Sequence, residues 1–265
     1  FTTLRDIVKN DILLFENRKF KKVSKNEKII ISQGINYIYE NNWCVAHCSS
    51  IKGNEKGFRI NLPINKIFLQ LQKESYSLKE DTPSIICNAS GYPLKGLHVL
   101  LKAISLVKNA YPKVILYVPG KSLMCTTNYI MRQKYSGYYV YISWLIKKLK
   151  INNNVVFLGE LNQDDLSRKI IKTDLFVMTS ALENHSSSLK EAMCLGMPCI
   201  SSFVGGIDSY SENKKNVLYY RFGDYKILAL YIKMLLNNRD IASRMGKAAR
   251  EMIVNNPENE IGNIC

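Results

Sequence analysis

The sequence predicts an α/β fold, a parallel sheet covered on both faces by helices. Three observations carry this. From about residue 84, short apolar runs alternate with helical patterns and the links between them are brief. Such alternation is the signature of successive βαβ units. The runs themselves, such as Ser84–Cys87 (SIIC) and Leu175–Met178 (LFVM), are largely apolar without alternation, as strands buried on both faces are. The chain of 265 residues, 46% hydrophobic and 22% charged, has the length and composition of one large or two modest globular domains.

Residues 1–80 are the less regular part. They carry a basic stretch, RKFKKVSKNEK, then an expected strand at Lys28–Ser32, a helix from about Asn36 and a strand near Gly57–Asn61. Glu74–Thr82 is polar, ends at Pro83 and suits a linker. After it comes the strand Ser84–Cys87. Lys95–Ala110 reads as a helix, with Leu97, Leu100, Leu101, Ile104 and Val107 on one face and Tyr111-Pro112 to end it. Val114–Val118 is the next strand, Tyr138–Lys150 a helix and Val155–Leu158 a strand. Asp164–Thr173 is a short helix, Leu175–Met178 a strand, Ser187–Leu195 a helix and Pro198–Ser201 a strand. Tyr225–Leu236 and Ile241–Ile253 close the pattern as helices. Sheets of this kind bind ligands at the carboxyl ends of their strands.

Lys+Arg 37 against Asp+Glu 22 gives a net charge of +15, which suits an anionic partner. Lys, Asn and Ile are used heavily everywhere, so the charge does not by itself choose among nucleotide, phosphorylated substrate, membrane surface and nucleic acid. The cysteines Cys44, Cys48, Cys87, Cys125, Cys194, Cys199 and Cys265 are odd in number and scattered, which favours a reducing, cytoplasmic setting over a disulfide framework. No segment reads as a signal peptide, and no apolar run approaches the roughly 18 residues of a membrane span. The sequence opens on Phe1 rather than Met.

The stretch most loaded with chemistry is Ala181 to Ser202, ALENHSSSLKEAMCLGMPCISS. Glu183 lies in the loop after a strand, Ser186, Ser187 and Ser188 supply a helix cap, and Glu191 follows in the helix. Free backbone N–H groups at a helix start, with the positive end of its dipole, make an anion site. Flanking carboxylates accept hydrogen bonds from sugar hydroxyls or move protons. On spacing alone, a capped amphipathic helix with a surface glutamate on each side is the simpler reading.

The flanks add more. Glu183 and Glu191 resemble the E-x7-E motif of retaining GT-B glycosyltransferases, glycosyltransferase family 4 in particular, and SALENHSSSLKEAMCLGMPCISSFVGG resembles that family's run around it. YPLKGLHVLLKAISLVKNAYPKVILYVPG resembles its first helical unit with the Lys95-Gly96 pair, NNVVFLGEL its third strand and MGKAARE its late helix. The resemblance covers about 82–253, and more weakly 28–70.

The resemblance implies a GT-B fold, two Rossmann-like domains. Residues 1–80 would be a partial acceptor-side domain with linker, 81–254 the nucleotide-sugar-binding domain and 255–265 the start of a crossover tail, truncated at both ends. It implies transfer of a sugar, with retention, from a nucleotide-diphosphate-sugar donor to a glycan or lipid-linked acceptor in glycan or polysaccharide biosynthesis. Neither a metal nor a cofactor besides the donor is implied. Glu183, beside the donor sugar, and Lys95, facing the diphosphate, are the implied catalytic residues. Glu191 would take the ribose. Backbone amides around Ser187, Ser188 and Leu189 would help to hold phosphate. Gly159, Glu160 and Leu161 would border the base, and Ser90, Gly91 and Asn184 would complete the donor site. Partners would include an anionic membrane surface touched peripherally, at the inner face, and no nucleic acid. The 265 residues alone are expected to bind donor and turn it over poorly.

Departures are local. Ser90 stands where the family carries an Arg five residues before the Lys, and Asn184-His185-Ser186 replaces a glycine-rich loop. His185 is expected to face solvent. Two other readings stay open: a GT-B-type nucleotide-sugar epimerase, and a basic domain that binds nucleic acid. Gly120-Lys121-Ser122 lacks the upstream glycine of a P-loop, and Cys44, His47 and Cys48 lack a fourth metal ligand. The segment YVYISWLIKKLK is expected to be an ordinary packed helix.

Overall fold

The computed structural model describes residues 2–9, 13–34, 36–53, 57–60, 63–74, 76, 82–88, 91–120, 128–134 and 136–255. In chain order the elements begin with α1 (Leu4–Val8), α2 (Leu13–Gln33), β1 (Tyr37–Tyr39), α3 (Asn42–Lys52), β2 (Gly57–Arg59), α4 (Lys66–Gln70) and β3 (Ser84–Cys87). They continue with α5 (Leu97–Val107), β4 (Ile115–Pro119), α6 (Tyr129–Arg132), α7 (Gly137–Lys148), β5 (Val155–Gly159), α8 (Gln163–Ile171) and β6 (Leu175–Met178). The last are α9 (Ser187–Cys194), β7 (Cys199–Ser202), β8 (Val217–Tyr220), α10 (Tyr225–Asn237) and α11 (Arg239–Val254). None of the described helices is long and apolar enough to cross a membrane.

The described residues fall into two compact units. One comprises Phe1–Asn61 with Leu123–Trp144, the other Leu62–Ser122 with Leu145–Cys265. In the first, β1 and β2 pair in parallel, Tyr37 opposite Gly57. Two sequence expectations fail here. Lys28–Ser32 is the last part of α2 rather than a strand. Helix growth is cooperative, so the strong helix formers of RKFKKVSKNEK carry the β-branched Ile29, Ile30 and Ile31 along. The chain is also extended over Tyr37–Tyr39 before a helix begins, because the cap of α3 is Asn41, whose side chain accepts from the Cys44 amide.

The second unit is built on six parallel strands in the order β5-β4-β3-β6-β7-β8. From β3 the chain runs outward through β4 to β5, then returns to pair β6 with the other side of β3 and runs outward through β7 to β8. The reversal opens a crevice at the carboxyl ends of β3 and β6, the place where such sheets take ligands. Every residue of β6 and β7 is buried, which is why β6 is apolar without alternation, while the two serines of β7 bond their hydroxyls to backbone carbonyls. Helix α5 packs on α10 and α9 on α11. The core joins Ile86, Phe176, Met178 and Val217 of the sheet to Met193 and Met197. Residues 63–73, which the sequence reading leaves with the first domain, add buried Ile64 and Phe68 to this core. The edge strand β8 is absent from the sequence reading; its VLYY run is short and lies between NKKN and RFGD.

Candidate functional site

Two loops meet at the crevice, one after β3 and one after β6. The first turns through Pro93–Lys95, and Gly96 then takes a left-handed φ of 73° to start α5. A Cβ on Gly96 would stand 1.8 Å from the Thr179 carbonyl oxygen, so only glycine fits between this turn and the end of β6. Hydrogen bonds lock the same approach. Thr179 Oγ1 donates to the Lys95 carbonyl at 2.8 Å, and the Ala181 amide to the Leu94 carbonyl at 2.7 Å.

This close approach delivers Lys95 to Glu183. Lys95 Nζ lies 2.5 Å from Glu183 Oε1, with the two side chains 34% and 13% exposed. Ser180 Oγ donates to the same oxygen at 2.6 Å, and Asn88 Nδ2 donates to Ser180 Oγ at 3.2 Å. Ser202 Oγ, at the end of β7, donates to the Ser180 carbonyl at 2.6 Å. Strands β3, β6 and β7 therefore each send a polar side chain to one carboxylate and its support.

The loop from Glu183 to the start of α9 is held from behind. Gly205 has a φ of 59°, and a Cβ there would lie 1.8 Å from the Glu183 carbonyl oxygen. The Gly206 amide donates to the Asn184 carbonyl at 3.0 Å, while the Asn184 side chain is exposed. Tyr210 donates its hydroxyl to the Ser186 carbonyl at 3.2 Å, and its ring lies 4.7 Å from that of His185. His185 is therefore buried, at 8% exposure, and not the solvent-facing histidine its loop position suggests. An aromatic ring contributed from after β7 covers it, and nothing near His185 in sequence announces that ring.

Ser186 caps α9, its Oγ accepting from the Leu189 amide at 3.4 Å. That bond occupies the Leu189 amide, and the Leu189 side chain is fully buried. Of the expected phosphate donors, the amides of Ser187 and Ser188 remain, in a first turn whose N–H groups have no helical carbonyl to meet. Glu191 follows, half-buried in α9. Burial pushes its carboxyl up from the ordinary 4.5 to about 7.

The remaining expected residues are spread along the same edge. Gly159 ends β5 with a left-handed φ of 74°, and exposed Glu160 and half-buried Leu161 lead towards α8. They stand two strand positions from β3, roughly 10 Å at the usual inter-strand spacing. Gly91 is half-buried in the loop after β3, and Ser90 lies outside the described residues. The structure thus joins Lys95 to Glu183 directly and lines the other described groups along the carboxyl edge. Sequence reasoning passed over Asn88, Thr179, Ser180, Ser202 and Tyr210. Ser180 had a signal, a strand-end hydroxyl three residues before Glu183; Tyr210 had none.

Comparison with known proteins follows this geometry. Residues 70–252 match the family model described as "Glycosyl transferases group 1". The chain is 28% identical over 184 residues to N-acetyl-alpha-D-glucosaminyl L-malate synthase of Bacillus anthracis, covering 69% of this chain and 44% of that protein. Among solved structures, sucrose-phosphate synthase from Thermosynechococcus elongatus superposes with a TM-score of 0.76 at 20% identity, covering 95% of this chain and 61% of that one. HepE from Anabaena, in complex with UDP and glucose, superposes with a TM-score of 0.68 at 20% identity, covering 82% of this chain and 58% of its own. The α/β fold is that of GT-B glycosyltransferase structures. The chain spans about half the length of these relatives.

Proposed function

Because the chain belongs to the glycosyl transferases group 1 family, we propose that its carboxyl-edge crevice binds a nucleotide-diphosphate-sugar donor for transfer to an acceptor hydroxyl. Lys95 meets the diphosphate, with the Ser187 and Ser188 amides at the start of α9. Glu191, once ionised, accepts hydrogen bonds from the ribose hydroxyls. Glu183 accepts from hydroxyls of the donor sugar. The base lies towards Gly159, Glu160 and Leu161.

In the transfer, the bond from the anomeric carbon to the diphosphate oxygen breaks and the acceptor oxygen bonds that carbon from the same side, which retains its configuration. Negative charge gathers on the departing diphosphate, whose leaving oxygen takes up the proton that the acceptor hydroxyl gives up. Lys95, once it turns to the diphosphate, and the α9 amides meet that developing charge, so they stabilise the transition state more than the ground state. The reading assigns this neutralisation to protein groups rather than to a metal. A uridine-diphosphate-sugar is the first donor to test, since HepE, a neighbour in fold, is in complex with UDP and glucose. The acceptor class we assign is a glycan or lipid-linked glycan, and the +15 net charge supports work beside an anionic surface.

One observation carries the reading: the Lys95–Glu183 pair, 2.5 Å apart, stands at the switch point of the sheet. Thermal stabilisation by nucleotide sugars tests it. Saturating donor should raise Tm, and Lys95→Ala should remove most of the shift. A chain unmoved by any nucleotide sugar would overturn the proposal.

A further inference from the structure

The donor-site reading sends Lys95 and Glu183 to different parts of one ligand, the cation to the diphosphate and the acid to the sugar. In the structure they are bonded to each other, Nζ to Oε1, at 2.5 Å. Among the described residues, Lys95 and Ser180 both donate to Glu183 at Oε1. The backbones on either side have little freedom. The Lys95 carbonyl is held by Thr179, Gly96 has no room for a Cβ beside Thr179, and Gly205 backs Glu183 with the same 1.8 Å restriction. The Lys95 side chain, a third exposed, retains the rotations of its methylene stem. Lys95 can therefore change partner without movement of either loop.

We infer that Glu183 competes with the diphosphate for Lys95, which makes Glu183 a specificity-determining residue that favours the complete nucleotide sugar over the bare nucleoside diphosphate. This rests on the donor-site reading above. The complete donor satisfies both partners of the broken pair: its phosphates take Lys95, and its sugar hydroxyls donate to the released carboxylate. A bare nucleoside diphosphate takes Lys95 and offers Glu183 nothing. The carboxylate, 13% exposed, then keeps Ser180 as its side-chain donor among the described residues and faces phosphate charge of its own sign. Removing one partner of a partly buried pair and adding like charge are both unfavourable. The site thus resists the nucleotide product and speeds its departure, without weakening its hold on the donor equally.

The experiment titrates wild type, Glu183→Gln, Lys95→Ala and the double variant with inorganic pyrophosphate, UDP, UDP-glucose, GDP and GDP-mannose. Pyrophosphate reads the diphosphate position whatever the base. Glutamine keeps the shape and the acceptor oxygen and removes the charge. Glu183→Gln should bind pyrophosphate and the nucleoside diphosphate about three- to tenfold tighter, the scale of a partly exposed ion pair. The matching nucleotide sugar should gain less, and the effect should shrink in the Lys95→Ala background. Glu183→Ala provides the same comparison if the glutamine variant fails to fold. If Lys95→Ala weakens diphosphate binding but neither Glu183 variant tightens it, the competition is refuted and the donor site stands. Equal gains for nucleotide and nucleotide sugar refute it too. If no probe binds, or Lys95→Ala changes nothing, the donor-site reading falls and the competition with it.

Discussion

Glu191 links the chemistry of the site to the stability of the fold, and Glu191→Gln separates the two. Burial raises the carboxyl from the ordinary 4.5 to about 7. The unfolded chain therefore releases this proton at lower pH than the folded one. Between those values the folded state holds more protons, so stability falls as pH rises, and the loss is complete above about 7. At about 1.4 kcal/mol per pH unit, a rise from 4.5 to about 7 corresponds to a penalty of about 3 kcal/mol for a charged Glu191 in the folded chain. Glutamine lacks the charge and the penalty. In denaturant unfolding, the variant should match wild type near pH 4.5 and exceed it by up to about 3 kcal/mol near pH 8. Binding should move the other way. Ribose hydroxyls donate best to an ionised carboxylate, so wild-type affinity for a nucleotide sugar should increase as pH rises through about 7. The glutamine variant should bind about 1–3 kcal/mol more weakly at high pH and show a flatter profile. A stability difference that is constant with pH, or that grows towards acid, would refute the burial argument. Equal affinities at pH 8 would remove Glu191 from the ribose role.

Other changes test the scaffold that positions the site. Gly96→Ala and Gly205→Ala each place a Cβ 1.8 Å from a carbonyl oxygen at a left-handed φ. Each should cost about 1–3 kcal/mol or more and weaken diphosphate binding, and wild-type Tm and affinity in either would contradict the packing described. Ser186→Ala removes the cap of α9 and should cost about 1 kcal/mol, seen as a drop in Tm of about 2–4 °C. Tyr210→Phe keeps the ring against His185 and loses the bond to the Ser186 carbonyl, for about 0.5–1.5 kcal/mol. If Tyr210→Phe leaves both Tm and nucleotide affinity unchanged, Tyr210 does not hold the start of α9.

The sheet was legible because its interior strands are buried on both faces, so Ile85–Cys87 and LFVM are unbroken apolar runs that are not confused with surface segments. Helix α9 was legible because its cap is local: Ser186 and the Leu189 amide are three residues apart. The first unit was less so. Its Ile29, Ile30 and Ile31 read as strand until the long helix before them is taken into account. Lys95 and Glu183 were each visible as candidates, but their bond joins residues 88 apart in sequence. No periodicity reports such a contact, which depends on two glycines admitting two backbones. The burial of His185 was hidden for the same reason, since Tyr210 covers it from beyond the next strand.

The most direct measurement is a crystal structure of the protein grown with saturating UDP-glucose, or with whichever nucleotide sugar stabilises it most. The diphosphate is expected on Lys95 Nζ and the first turn of α9, with ribose hydroxyls on Glu191. The sugar should lie on Glu183, now parted from Lys95, and the base towards Gly159, Glu160 and Leu161. A nucleotide bound elsewhere on the sheet, or bound in the crevice with the Lys95–Glu183 pair still closed, would contradict the donor site at its centre.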